Sequence, residues 1–149
     1  MIVGRQQNFW NSYTVHEASI ALAIVDELCE RAQRDQIERI ATVYLRVGAL
    51  TSVVPDALQF AWDMANEGTV ASGSRLEIER IPLTIFCTRC ACERTIDQDA
   101  LPICPACGTS SNEIVRGREL LVTAMEAVYA ASPRGHSAKH LAQERYAGP

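Results

Sequence analysis

No apolar run in this 149-residue chain approaches the length of a membrane-spanning helix, and residues 1–14 contain no hydrophobic stretch of the kind that directs secretion. Positive charge is also scarce. The 14 Lys and Arg are outnumbered by 18 Asp and Glu, and a net charge of −4 argues against a general nucleic-acid binder, which normally carries a basic face. The chain has no glycine-rich phosphate loop, no nucleophile beside a base and no internal repeat. The expectation is therefore a cytoplasmic protein that is not an enzyme and has no membrane or nucleic-acid partner. Its length suffices to bury a core as one domain, or as a domain carrying a small module.

What the chain does have is cysteine at telling intervals. Cys87 and Cys90 form one Cys-x-x-Cys pair, Cys104 and Cys107 a second, with thirteen residues between them. Each such turn lets two thiolates converge on one cation, and two turns complete a tetrahedron. Pro105 stiffens the second turn, and Gly108 allows the positive φ that brings amides towards sulfur. Four thiolates at this spacing favour a closed, structural Zn²⁺ site. Two disulfides are the bland alternative, disfavoured in a cytoplasmic chain, and a rubredoxin-like iron site is a further one. Cys29 falls on a helix face as a small buried thiol, and Cys92 reads as a spare thiol facing out of the knuckle.

Hydrophobic spacing outlines the body. Ile20, Ala23, Ile24, Glu27, Leu28 and Ala32 recur at helical intervals, with Asp26, Glu30, Arg31 and Arg34 opposite, which predicts a helix from about Ser19 to Arg34. Residues 1–14 show neither helical nor strand periodicity. Val43, Leu45 and Val47 alternate with Thr42, Tyr44 and Arg46 in a half-buried strand. Pro55-Asp56 opens a second helix whose apolar side is Ala57, Leu58, Phe60, Ala61, Met64 and Ala65, with Phe60 and Trp62 expected to pack on the sheet. Leu76 to Glu79 alternates again and runs past Pro82 into Cys87. Glu119 to Val128 reads as a last strand, with Leu121, Thr123 and Met125 on one face.

The fold class predicted is α/β of the α+β kind: two helices packed on a small mixed sheet, with a four-cysteine zinc-ribbon module inserted between two strands. The two strands flanking the module are expected to be neighbours in one sheet. The division expected is an extension over residues 1–14, a body of 15–85 and 118–130, a zinc module of 86–117 and a disordered tail of 131–149. His136 and His140 lie four apart in that tail, where Pro133 and Gly135 disfavour a helix, so they read as solvated.

Several segments in order give the chain a resemblance to the HypA/HybF family of hydrogenase maturation factors. They are Val15-His16-Glu17-Ala18-Ser19-Ile20, Val43 to Leu50, Pro55 to Trp62, the paired cysteines, and Gly117-Arg118-Glu119-Leu120. Together they span roughly His16 to Ala127. The resemblance implies a nickel metallochaperone that binds Ni²⁺ at an N-terminal His-Glu motif and assists its insertion into [NiFe] hydrogenase. It implies as partners a nickel-handling GTPase, the hydrogenase large subunit and, in some organisms, urease maturation proteins, with the chaperone a monomer or homodimer. Carried over by position, His16 and Glu17 match the nickel motif, and Cys87, Cys90, Cys104 and Cys107 match the zinc ligands. Imidazole suits Ni²⁺, whereas four thiolates suit Zn²⁺. Valine stands at position 15 where the family has its initiator methionine, so either the chain binds nickel through an internal His-Glu with fewer backbone donors or, the favoured reading, Val15 is the physiological start. The runner-up function is a zinc-ribbon adaptor binding protein or nucleic acid. Against the nucleic-acid version, Arg89, Arg94 and Arg116 are interspersed in the knuckle with Glu93, Asp97, Asp99 and Glu113.

Overall fold

The computed structural model describes residues 12–97, 101–130 and 141–143. Helix α1 spans Ser12–Asp35, strand β1 Ile37–Gly48, helix α2 Pro55–Ala65 and strand β2 Arg75–Ile81. The knuckle follows with β3 Leu83–Cys87, β4 Cys92–Ile96 and β5 Ile114–Arg116, and the chain returns to the body as β6 Leu120–Tyr129. The expected fold class holds: two helices, a mixed sheet, and a cysteine module between strands.

Helix α1 starts earlier than its amphipathic pattern suggested, at Ser12 rather than near Ser19. Its buried stripe is also rotated by one position. Ala21, Val25, Leu28 and Ala32 lie in the core, Ile20 and Ile24 flank it, and Ala23 and Glu27 are exposed. The stripe runs at i, i+4, i+7 and i+11, the spacing of one helical face. Gln36, at φ 56, breaks the helix in the left-handed conformation common just past a helix end, and β1 begins at once.

Strand β1 is the middle of the body. It pairs in parallel with β2, Thr42 to Gly48 against Arg75 to Ile81, and antiparallel with β6, giving the order β2-β1-β6-β7 with β7 at Leu141–Gln143. A parallel neighbour requires a crossover, and α2 supplies it. The strands flanking the knuckle, β2 and β6, are therefore not neighbours as expected, because β1 lies between them. The apolar β1 buries Val43, Leu45 and Val47 under the helices, which favours the central place. Its open face is polar: Thr42 and Tyr44 donate to the two carboxylate oxygens of Glu126, each at 3.0 Å. The alternation expected along β6 is interrupted by a register shift between Tyr44 and Leu45, where Thr123 donates to the Tyr44 carbonyl.

On α2 the core face is Leu58, Ala61 and Trp62, and Trp62 is fully buried with its indole N–H donating to Ser74. Phe60 and Met64, expected on the inner side, are 62% and 66% exposed. Burying the larger Trp62 sets the helix phase, and Phe60 then falls on the far side. Of the span expected to be a disordered tail, Leu141–Gln143 form β7, antiparallel to β6 at the sheet edge, and the other residues of 131–149 lie outside the described residues. No helix among the described residues is long and apolar enough to cross a membrane.

The knuckle has its own sheet, of order β4-β3-β5, and its own small core of Leu83, Ile85 and Ile96. Strand β3, Leu83–Cys87, carries the chain into this sheet four residues ahead of Cys87. The two bodies are stitched at the end of β1. Gly48 N–H donates to the Glu119 carbonyl (2.6 Å), Ala49 N–H to Ile81 (2.9 Å) and Leu50 N–H to Gly117 (2.7 Å). Both chain crossings into the knuckle are thus tied to three consecutive residues.

Candidate metal centre

The two cysteine turns are built in different ways. Cys87 ends β3 opposite Cys92 at the start of β4, and the tight link between them turns at Ala91, at φ 52, with Cys90 just before it. The second turn is clamped by a bridge between Ile103 and Ser110. Within it, Cys104 N–H donates to the Thr109 carbonyl (2.8 Å) and Gly108 N–H to the Cys104 carbonyl (2.9 Å). Gly108 has the positive φ, 71°, that its position after the cysteine required. Ser111 joins the two turns, its hydroxyl donating to the Phe86 carbonyl at 2.6 Å beside the Phe86 N–H bond to Glu113.

The result is a cluster. The sulfurs of Cys87, Cys90, Cys104 and Cys107 all lie within 4.8 Å of one another, with Cys87 and Cys107 3.5 Å apart and Cys90 and Cys104 3.9 Å apart. A tetrahedral zinc with Zn–S bonds of about 2.3 Å has S···S edges of about 3.8 Å, so the sulfurs present fit it. All six cysteines are free thiols, which sets aside the disulfide alternative. Cys92 is half-buried and lies outside the four-sulfur cluster, and Cys29 packs half-buried against the body core.

Polar neighbours divide the four thiols. The hydroxyl and backbone N–H of Thr109 favour the thiolate of Cys107 and bring its pKa down to about 6. At Cys104 burial works to raise the pKa, but the N–H groups of Ala106 and Cys107 outweigh it and hold the thiol below its ordinary value. Cys90 is pushed up to about 12, chiefly by its hydrogen bonds with Cys107 and then Cys87. Arg94 lies within the field of these sulfurs. Its pKa is raised first by the charge of Cys92, with Cys104 and Cys90 adding, and its Nε is buried with no hydrogen-bond partner. From the sequence Thr109 has no assigned role, and Arg94 figures only as one of the knuckle's mixed charges. Thr109 had a signal, since a hydroxyl two residues past the last cysteine of such a turn is within reach of its sulfur. Arg94 had none, because its position depends on the β3–β4 register.

His16 and Glu17 are brought to the N-terminal part of α1, but they part company there. His16 is exposed, whereas Glu17 is 0% exposed. Glu17 Oε1 accepts the Val54 N–H at 2.9 Å, just before α2, and Oε2 is buried without a partner. His136 and His140 lie outside the described residues.

A mixed-sheet body carrying a four-thiol knuckle defines a small metal-handling protein with a structural zinc. The comparisons narrow it. A family model described as hydrogenase/urease nickel incorporation, metallochaperone, HypA matches residues 15–127. The hydrogenase maturation factor HypA of Chloroflexus aggregans is 44% identical over 112 residues, covering 75% of this chain and 98% of that protein. HybF of Klebsiella pneumoniae is 38% identical over 112 residues, with the same 75% and 98% coverage. In fold, the chain is similar to the Ni metallochaperone HypA from Helicobacter pylori in its solution structure, with a TM-score of 0.54, 17% identity, and 76% and 98% of the two chains covered. The chain belongs to the HypA family of hydrogenase and urease nickel-incorporation metallochaperones.

Proposed function

We propose that this chain carries Ni²⁺ on His16 and hands it to a [NiFe] hydrogenase during maturation, with Cys87, Cys90, Cys104 and Cys107 holding a structural zinc. The observation that carries the reading is the exposure of His16 in the segment where the family match begins. An exposed imidazole on a helix is open to an incoming divalent ion, and nickel accepts nitrogen donors readily. The thiolate cluster offers no open position, so the two metals do not compete for one site.

On this reading the protein is a cytoplasmic carrier and not an enzyme. Its partners are a nickel-handling GTPase and the hydrogenase large subunit, with urease maturation proteins as further recipients, and the carrier acts as a monomer or homodimer. Calorimetric titration of the full chain with Ni²⁺, beside His16→Ala, tests it. The variant loses specific nickel binding and keeps its zinc and its thermal transition. Unchanged nickel affinity in His16→Ala sinks the reading.

A further inference from the structure

The geometry points to Glu17 as a positioning residue that ties the nickel-bearing turn of α1 to the start of α2, its carboxylate being no nickel ligand. This rests on the reading of His16 as the nickel anchor. Helix α2 begins without a capping side chain of its own: Val54 occupies the N-cap position, makes no side-chain cap bond, and is followed by Pro55. An apolar N-cap leaves the first-turn amides and the positive end of the helix dipole uncompensated. Glu17, distant in sequence, brings negative charge to this end through the N-cap's own N–H, as a capping-box carboxylate does. Its Oε1 takes the Val54 N–H at 2.9 Å, placing a carboxylate at the α2 N-terminus.

Burial fixes the side chain there. Glu17 is wholly enclosed, and even its second oxygen, Oε2, is shut away from solvent. Successive helical residues point about 100° apart, so an inward Glu17 goes with an outward His16. To reach an ion held by His16, the carboxylate would have to leave Val54 and give up its charge-assisted bond to that N–H, which is costly. The tie therefore orients the imidazole and leaves the metal to His16 and to donors other than the Glu17 carboxylate.

Hydrogen exchange at the Val54 amide of the full chain, with and without Ni²⁺, tests this directly. Protection is the same in both states. A tenfold or greater loss of Val54 protection on adding Ni²⁺ would show the carboxylate moving to the metal and would overturn the proposal. Two variants complete the test. Glu17→Gln keeps an oxygen acceptor, so it retains Val54 protection and a nickel affinity within about twofold of the parent. Glu17→Ala loses the protection and weakens nickel binding about tenfold, the scale of one charge-assisted hydrogen bond. Parent-like nickel binding in Glu17→Ala, or a tenfold loss in Glu17→Gln with Val54 still protected, refutes the positioning role. If His16→Ala binds nickel normally, the nickel site itself is misplaced, whereas the Val54 results report on the tie alone.

Discussion

Gly48 and Gly117 meet backbone to backbone. A Cβ on Gly48 would lie 2.2 Å from the Gly117 carbonyl carbon and 2.3 Å from its oxygen, and Gly117 itself holds a φ of +116°. Neither contact involves a flexible side-chain end, so an added methyl has nowhere to go. Gly48→Ala should destabilise the protein by about 3 kcal/mol or more, as overpacking at rigid backbone does. Denaturant unfolding followed by circular dichroism measures it. A loss below about 0.5 kcal/mol, the range of ordinary surface changes, would mean the two crossings are not locked together.

Two aromatics on α2 should respond in opposite ways. Trp62 fills the core and donates to Ser74, so Trp62→Ala is expected to cost about 3–5 kcal/mol. Phe60→Ala, on the exposed side, should change stability by no more than about 0.5 kcal/mol. Comparable losses in both would contradict this helix phase.

Removing one thiol tests the zinc centre. Cys104→Ser should purify without its full complement of zinc and lose amide protection in β3 to β5. The body core is a separate cluster, so β1 and β6 should keep theirs. Structural zinc contributes its binding free energy to folding, and a core of three side chains has little else to rely on. Metal analysis with residue-resolved hydrogen exchange distinguishes the outcomes, and full zinc content with an intact knuckle would count against the assignment.

Immediately after zinc is chelated, before the knuckle opens, its reduced thiols should show a graded chemistry. Cys107 is held to about 6 by Thr109, so it is a thiolate at neutral pH, while Cys90, pushed to about 12, stays protonated. Alkylation at pH 7 should therefore modify Cys107 first, with a rate that rises through about pH 6. The sign for stability follows. A thiol whose pKa is depressed in the fold contributes stability that is complete above its unfolded value and lost as pH falls through about 6. Thr109→Val should move the reactivity midpoint upward. Equal alkylation of all four thiols at pH 7 would show that Thr109 does not single out Cys107.

The four zinc cysteines were legible because the chemistry of a Cys-x-x-Cys turn is local and its spacing repeats. Gly108 was legible for the same reason. Glu17 was not, because its partner Val54 lies far along the chain and belongs to another helix. The strand order failed on a similar ground: alternation marks a strand, yet nothing in β2 or β6 says that β1 will lie between them. The phase of α2 went astray where Phe60, Trp62 and Met64 all looked apolar, and only three-dimensional volume decided that Trp62 goes in. In β6 the shift at Thr123 moved residues off the face that strict alternation assigned.

If His16 carries the nickel as proposed, an outward His16 beside an inward Glu17 separates loading from folding. The knuckle is a lock that fails when its ion is withdrawn, since its sulfurs sit at the centre of what they hold together. The His16 imidazole lies on the outside wall, and a cargo proposed to hang there could be lifted without disturbing a buried contact. A carrier arranged in this way travels empty without unravelling, so its traffic is governed by exchange with donor and recipient and its shape survives every round trip.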